Sequence, residues 1–354
     1  GMFFFVTLLI ASVVGGLYYA QLRSNYNLQM GMMMFAMALM GFSTYASIII
    51  RANANTPINM NNPSDPYSLV SYINREQYGT RPLAFGPHFM AKPIATKDKG
   101  NVYRPVEKNG KVVYDKVGEK FDYEYSRSDM MPFPRLGHMD RATQYGRWLS
   151  LSEGEVPTMN DNLDFFFRYQ VGWMYFRYFM WNFAGRQNAK QGFYANDPTK
   201  GNWQSGIGLF DNGRLMPTKD LPESMTDQGS NSYYFLPLIF GLIGLIFHIS
   251  RRPQEALALG ILFLITGLAI ILFSNQPPNE PRERDYVLVG SIFTYCIWIG
   301  LSVTALYKTF KDLLKNGVGA SVLATALVLV APLLMATQNW DDQSRANHTG
   351  ARDY

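Results

Sequence analysis

The chain has 354 residues, of which 47% are apolar, and its 32 basic and 27 acidic residues give a net charge of +5. A charge this small, without a motif of interleaved basic and aromatic residues, gives no reason to expect a nucleic-acid partner. The single cysteine, Cys296, excludes an internal disulfide and is expected to pack as a small apolar residue.

Six apolar runs are each near the roughly 20 residues that a helix needs to cross a bilayer core. They cover residues 2–19, 29–50, 233–249, 255–273, 287–307 and 317–337. The alternative is that these runs are buried core helices, and six runs of this length fit that alternative poorly. The predicted fold class is therefore a mainly α, polytopic integral membrane protein. It has two transmembrane helices in 1–50 and four in 233–337, with a large mixed α/β extracytoplasmic insert at 51–232 and the start of a tail at 338–354.

Basic residues concentrate in three short connections between these runs, at 21–28, 250–254 and 308–316. The connections contain Arg23, Arg251, Arg252, Lys308, Lys311 and Lys315, against the single acid Asp312. Short loops rich in lysine and arginine stay in the cytoplasm. We therefore expect the insert, the residues around Arg284 and the tail to lie on the outer face.

The insert carries two local structural signals. Ser64 or Asp65 is placed to cap a short helix over 67–77. Asn109-Gly110 is a strong hairpin signal, which predicts strands at 101–107 and 111–116. Residues 120–125 are expected to add a third strand.

Aromatic residues crowd the segment 162–186, in which Arg168, Arg177 and Arg186 recur every nine residues. Nine residues make about 2.5 helical turns, so successive arginines face opposite ways. This composition favours a helix on the membrane surface or packed on the transmembrane helices. A core helix of the insert is the alternative, and the sequence does not separate the two.

Residues 275–286, here called the charged segment, read NQPPNEPRERDY between two apolar runs. Charges this dense at a membrane boundary are costly unless they bind a ligand or each other. Arg282 and Arg284 suit phosphate oxygens, and Glu280 or Asp285 could orient a sugar hydroxyl or act as a base. The alternative is a cluster of salt bridges that caps the following helix, and residue chemistry leaves both interpretations open.

Other candidates carry weaker signals. Asp341 and Asp342 could hold a divalent metal through oxygen ligands, although a helix cap is the commoner role. Arg51 could meet a lipid phosphate or anchor its helix at the interface. The histidines show no zinc-ligand spacing. We therefore predict no zinc site and assign no metal ligands.

Four long motifs are distinctive. They are NANTPINMNNPSDPYSLVSYINREQYG at 53–79, FFFRYQVGWMYFRYFMWNFAGRQN at 165–188, QPPNEPRERDYVLVGS at 276–291 and QNWDDQSRANHTGARDY at 338–354. Together they resemble glycosyltransferase family 117 of Bacteroidota, inner-membrane proteins similar to the eukaryotic O-mannosyltransferase that modifies extracellular immunoglobulin-like domains. The resemblance covers nearly the whole chain and implies a fold of the GT-C type.

The resemblance implies an inverting hexosyltransferase of the bacterial inner membrane that works on its periplasmic face. The donor substrate would be a sugar on polyprenyl phosphate, the acceptor a serine or threonine of an exported protein, with membrane lipids as further partners. No cofactor is specified, and a divalent metal is left undecided. Family members carry their key acid on an earlier outer loop, so we expect the main catalytic base upstream of these residues.

The candidate site residues follow from the charged segment and the matching motifs. Donor-phosphate ligands are Arg282, Arg284 and Arg51; substrate-orienting residues are Asn279, Glu283, Asp341, Asp342 and Arg345; weak candidates for a catalytic carboxylate are Glu280 and Asp285. A non-catalytic membrane scaffold or subunit of an envelope complex is the alternative function. A transporter of lipid-linked sugars fits less well, because the six runs contain almost no ionisable residues.

Overall fold

The computed structural model describes residues 2–54, 56–79, 82–226 and 229–343. About 60% of the chain is helical. The chain divides into two compact units, one of Gly1–Thr80 with Ala95–Glu124 and one of Arg81–Ile94 with Tyr125–Tyr354.

The first unit contains two apolar helices, Met2–Leu22 and Tyr26–Asn53, which pack on each other. Asn25 ends the tight turn between them and caps the second helix, because its Oδ1 accepts the N–H of Leu28 at 3.1 Å. Within Tyr26–Asn53 only Ala52 is buried. Nearly all of this apolar surface is therefore left for lipid or for another helix.

A short helix, Pro66–Ile73, follows in the same unit. Of the two predicted caps, Asp65 is the one used, since its carboxylate accepts the N–H groups of Tyr67 and Ser68. The helix is shorter than predicted, and a 3₁₀ turn follows it at Glu76–Tyr78.

The predicted hairpin is confirmed and is longer than expected. Its strands are Pro93–Lys108 and Lys111–Tyr125. Asn109 and Gly110 have φ values of 53° and 72°, as a type I′ turn requires. The prediction of a separate third strand at 120–125 is wrong, because these residues continue the second strand through Gly118 without a break.

The apolar helices of the second unit pack against one another. They are Leu236–Arg251, Pro253–Ser274, Asp285–Leu314 and Gly317–Gln343. Gly244 lets two of them approach closely, since a Cβ there would overlap the carbonyl oxygen of Trp298. A π-helical turn at Ile265–Ala269 interrupts the second helix where Gly267 faces the ring of Tyr175.

Among the described residues, four helices are long and apolar enough to cross a membrane: Tyr26–Asn53, Pro253–Ser274, Asp285–Leu314 and Gly317–Asp342. Val6–Leu22 and Leu236–Arg251 are apolar but shorter. Each of the six predicted runs thus forms a helix, and four of them have the length expected of a membrane span.

The aromatic segment forms one continuous helix, here called the aromatic helix. It consists of Met159–Phe165 in α, Phe166–Phe176 in π and Arg177–Phe183 in α conformation. Thr158 and Asp161 start it with a capping box.

The aromatic helix packs on two different surroundings along its length. Phe165 lies in the core of the polar insert with Tyr145. Phe183 packs on Tyr295 of the apolar helix Asp285–Leu314, with ring centroids 4.5 Å apart. One half of the helix therefore lies in the core of the insert, and the other half packs on an apolar helix.

The other described elements are short. Phe85–Pro87 pairs antiparallel with Met130–Pro132, and Gly185–Arg186 pairs antiparallel with Asn231–Ser232. Short helices and 3₁₀ turns lie at Arg127–Asp129, Met139–Arg141, Ala142–Leu149, Gly208–Asp211, Thr218–Asp220 and Glu223–Thr226.

Candidate functional site

Buried amide groups hold the charged segment against the aromatic helix. Gln170 Nε2 donates to Asn275 Oδ1 at 3.0 Å and to the carbonyl of Gln276 at 3.3 Å. The hydroxyl of Tyr169 donates to the carbonyl of Pro277 at 3.1 Å. Because Gln170 and Asn275 are buried, losing either bond would strand a polar group away from water. The backbone of the charged segment is thereby fixed.

A pocket of about 60 Å³ lies between the aromatic helix and the charged segment. The aromatic helix contributes Tyr169, Trp173, Met174, Arg177, Tyr178 and Trp181 to its wall, and the charged segment contributes Gln276, Asn279, Glu280, Arg282, Glu283, Arg284 and Asp285. Since one water needs about 10–15 Å³ by this measure, the pocket has room for a group of several heavy atoms. One wall offers aromatic rings, and the other offers paired and unpaired charges.

Arg177 is a buried cation, and each of its three nitrogens donates a hydrogen bond. Its Nε donates to the carbonyl of Trp173 at 2.9 Å, Nη1 to the carbonyl of Gly201 at 2.7 Å, and Nη2 to Glu283 Oε1 at 2.6 Å. Burial lowers the pKa of Arg177, and the charge of Glu283 counters that shift. Arg177 and Glu283 therefore form an ion pair that locks the charged segment to the aromatic helix.

Trp181 is flanked by two guanidinium groups. The Cζ atom of Arg177 lies 4.3 Å from the centroid of its ring, and that of Arg186 lies 4.2 Å away. Arg177 also lies 3.9 Å from the ring of Trp173. Such contacts hold a guanidinium in place through cation–π attraction.

The residues of the charged segment that were predicted to bind a substrate lie together in the wall of this pocket. Arg284 lies 3.6 Å from Glu280 in a half-exposed ion pair. Arg282 is exposed and lies 6.0 Å from the ring centroid of Tyr286. Among the described residues, neither Arg282 nor Asp285 has an ion-pair partner. A cluster of internal salt bridges thus accounts for only part of the segment.

Asn279 also lines the pocket. Its Nδ2 donates to the hydroxyl of Tyr194 at 3.1 Å, while its own carbonyl accepts from Arg141 Nη1 at 3.3 Å. Its Oδ1 is buried and has no described donor. That oxygen is available to a hydroxyl or amide of a ligand.

The predicted acids near the end of the chain are not part of the pocket wall. Asp341 and Asp342 are exposed in the last turn of Gly317–Gln343, and Asp342 accepts the N–H of Gly229 at 2.8 Å. Asn339 and Gln338 bond to the neighbouring strand Asn231–Ser232. In the described residues this motif ties a helix end to a strand.

Two other predicted site residues lie elsewhere. Arg51 belongs to the first unit, where it is exposed in the last turn of Tyr26–Asn53. Arg345 lies outside the described residues.

Arg135 supports the site and was not predicted from the sequence. It is 1% exposed, donates to the carbonyl of Leu272 at 2.9 Å from Nη1, and lies 3.9 Å from the ring of Phe133. Burial lowers its pKa to about 10. A cation at the end of Pro253–Ser274 stabilises the helix terminus from which the charged segment starts.

Sequence spacing could have found part of the site. Trp173, Arg177 and Trp181 follow one another at intervals of four, which places side chains on one helix face. The nine-residue recurrence of arginine does not indicate this face, because it places successive arginines on opposite sides of a helix. The pairing of Arg177 with Glu283 had no local signal, since 106 residues separate them.

A comparison with protein-family models finds one match, a family described as a family of unknown function (DUF8416), over residues 79–167. The match covers the hairpin, the helix Ala142–Leu149 and the start of the aromatic helix, about a quarter of the chain. The residues that line the pocket lie outside it. No curated protein matches the chain, and no solved structure matches it.

Proposed function

We propose that the chain is part of a membrane glycosyltransferase of the inverting GT-C type, which takes a hexose from a polyprenyl-phosphate donor. The acceptor would be a serine or threonine of an exported protein. The observation that carries the proposal is the pocket, in which unpaired Arg282 and half-exposed Arg284 lie beside carboxylates and aromatic rings. Membrane lipids would surround its apolar helices.

The arginines suit the phosphate of the donor. Arg282 has no described ion-pair partner, and the pair of Arg284 with Glu280 is long and partly solvated. A phosphate oxygen can therefore bind these guanidinium groups without breaking a buried ion pair. Arg51 is kept as a further candidate for a lipid phosphate, on the first unit.

The carboxylates and rings suit the sugar. Asp285 accepts only the N–H of Tyr286 among described donors, at 3.0 Å, so one of its oxygens is open to a hydroxyl. Asn279 Oδ1 offers a second acceptor. Tyr178 supplies an aromatic ring to the wall, while Trp173 and Trp181 are stacked on Arg177. Asp285 is the better candidate for orienting a hydroxyl, because Glu280 already faces Arg284.

The position of the pocket suits a donor that lives in a membrane. Ile271 and Leu288, near the ends of two apolar helices, line it. A polyprenyl chain could follow these helices while its phosphate enters the pocket. We infer six spans with the pocket on the periplasmic face, because Arg251, Arg252 and Lys315 cluster at the opposite ends of the same helices.

The test uses cells that carry the native gene. Glycopeptides of exported proteins are measured by mass spectrometry in wild type, Arg284→Ala and Asp285→Asn, with the membrane level of the protein measured in parallel. Arg127→Ala is the matched control, since Arg127 is exposed in the same unit and does not line the pocket.

We expect loss of glycans in the two pocket variants at normal protein level, with the control unchanged. Unchanged glycans in all three variants would refute the proposal. They would favour the alternative, a scaffold or subunit of an envelope complex in which the charges serve assembly.

A further inference from the structure

Arg186 is a cation whose side chain has no described hydrogen-bond partner. Its Nε is buried and unpaired, and its terminal nitrogens reach no acceptor among the described residues. A guanidinium carries five N–H donors and cannot lose its charge at neutral pH. A half-buried group of this kind is costly unless an anion completes it.

Arg186 is nevertheless held in a defined place. Its Cζ lies 4.2 Å from the ring centroid of Trp181. Its backbone belongs to the strand Gly185–Arg186, where its N–H donates to Asn231 Oδ1 at 2.8 Å. Ring stacking and strand pairing fix the side chain, so its open donors do not reflect a freely moving arginine.

The second arginine over the same ring provides the contrast. Arg177 uses Nε, Nη1 and Nη2 on Trp173, Gly201 and Glu283. Each of its three nitrogens already donates, so a ligand could reach only the second N–H of Nη1 or Nη2. Of the two guanidinium groups at Trp181, Arg177 has a described acceptor at every nitrogen and Arg186 has none.

The charged side chains in and beside the pocket wall carry a net positive charge. The wall holds three arginines and the three carboxylates of Glu280, Glu283 and Asp285. Arg186 is not part of the wall but stacks on the wall residue Trp181 and adds one positive charge beside it, and Glu283 and Asp285 are the acids that act on it most. Glu283 is already paired with Arg177. An anionic ligand would balance this extra positive charge.

We propose that Arg186, which lies beside the pocket on the ring of its wall residue Trp181, is an anion ligand that binds phosphate oxygens, with Trp181 fixing the plane of its guanidinium group. The assignment of that phosphate to a lipid-linked sugar rests on the proposed function, whereas the phosphate chemistry rests on the geometry. Arg177 then has a structural role only.

The experiment measures anion binding rather than sugar transfer. The purified full chain in nanodiscs is titrated with inorganic phosphate, pyrophosphate and polyprenyl phosphate, followed by tryptophan fluorescence and calorimetry. Arg186→Gln, Arg186→Lys and Arg177→Gln are compared with wild type, together with the thermal midpoint of each protein without anion.

We expect Arg186→Gln to weaken binding at least about tenfold, with the anion-free midpoint lowered less than in Arg177→Gln, because only the contact with Trp181 is lost and no side-chain hydrogen bond. Arg186→Lys should restore part of the affinity, and Arg177→Gln should lower the midpoint. Tighter binding of polyprenyl phosphate than of either inorganic anion would identify a lipid as the source.

Equal anion binding by Arg186→Gln and wild type would overturn the inference, as would a midpoint lowered as far as in Arg177→Gln. Absence of binding by the wild type would overturn it too. Binding through Arg186 without glycans on exported proteins would refute the proposed transfer reaction and leave the anion site standing.

Discussion

Replacing Glu283 with glutamine removes the charge that faces Arg177 while keeping the size of the side chain. The two side chains are 20% and 7% exposed, and their ion pair measures 2.6 Å. Glutamine can still accept a hydrogen bond from Nη2, but the buried guanidinium loses its counter-charge. Removing one partner of a buried pair costs about 3–5 kcal/mol, and the retained hydrogen bond places Glu283→Gln near the lower value.

The aromatic helix offers a matched control. Arg168 and Asp164 form an ion pair of 2.9 Å nine residues earlier, with side chains 55% and 43% exposed. Since this pair is solvated, Asp164→Asn should cost no more than about 0.5 kcal/mol. Both variants replace a carboxylate with the matching amide in an ion pair of nearly the same length. The comparison therefore tests the effect of burial.

The assay is equilibrium or thermal unfolding of both variants in one detergent, together with Arg177→Met and the Arg177→Met/Glu283→Gln double variant. We expect Glu283→Gln to be several-fold more destabilising than Asp164→Asn. The double variant should fall short of the sum of its single changes, because each removes the same pair. Equally small losses in Glu283→Gln and Asp164→Asn would refute the description of Glu283 as the counter-ion of a buried cation.

Three further predictions concern folding. Gly201→Ala should destabilise the protein by about 1–3 kcal/mol, since Gly201 has a φ of 60° and a Cβ would lie 2.6 Å from a carbonyl oxygen. The control Gly213→Ala has open space around it and should change the unfolding midpoint little. Gly244→Ala should cost about 1–3 kcal/mol or more through separation of two apolar helices, whereas Gly300→Ala faces open space and should be neutral or stabilising; equal midpoints would contradict the close packing. Burial lowers the pKa of His88 from 6.5, so the unfolded chain takes up the proton first and stability should fall as pH drops below about 6.5. His88→Asn should make the change in midpoint between about pH 7.5 and about pH 5.5 smaller, and an unchanged pH dependence would rule out His88 as a source.

Local sequence signals predicted local structure well. The Asn109-Gly110 pair determines the hairpin because both residues accept positive φ. Asp65 caps its helix with a side chain only two and three residues from the N–H groups it accepts. The apolar runs became helices because each can satisfy its backbone within itself.

Long-range partners could not be predicted in the same way. Glu283 was expected to orient a substrate, and its charge is directed to Arg177, 106 residues away. Arg135 reaches Leu272 across 137 residues. Such pairs depend on how the aromatic helix and the charged segment meet, which no local pattern specifies. The charge density of the charged segment indicates one wall of the pocket in the sequence. No local pattern indicates that the aromatic helix forms the other wall.

We propose that the charged segment binds the phosphate of a lipid-linked donor, and a direct binding measurement is the simplest test. The full chain in nanodiscs is titrated with a polyprenyl-phosphate sugar, and the dissociation constant is compared between wild type, the Arg282→Ala/Arg284→Ala double variant and Arg127→Ala. We predict a loss of affinity of at least about tenfold in the double variant and none in Arg127→Ala. Equal affinity in all three proteins would contradict a phosphate site in this segment.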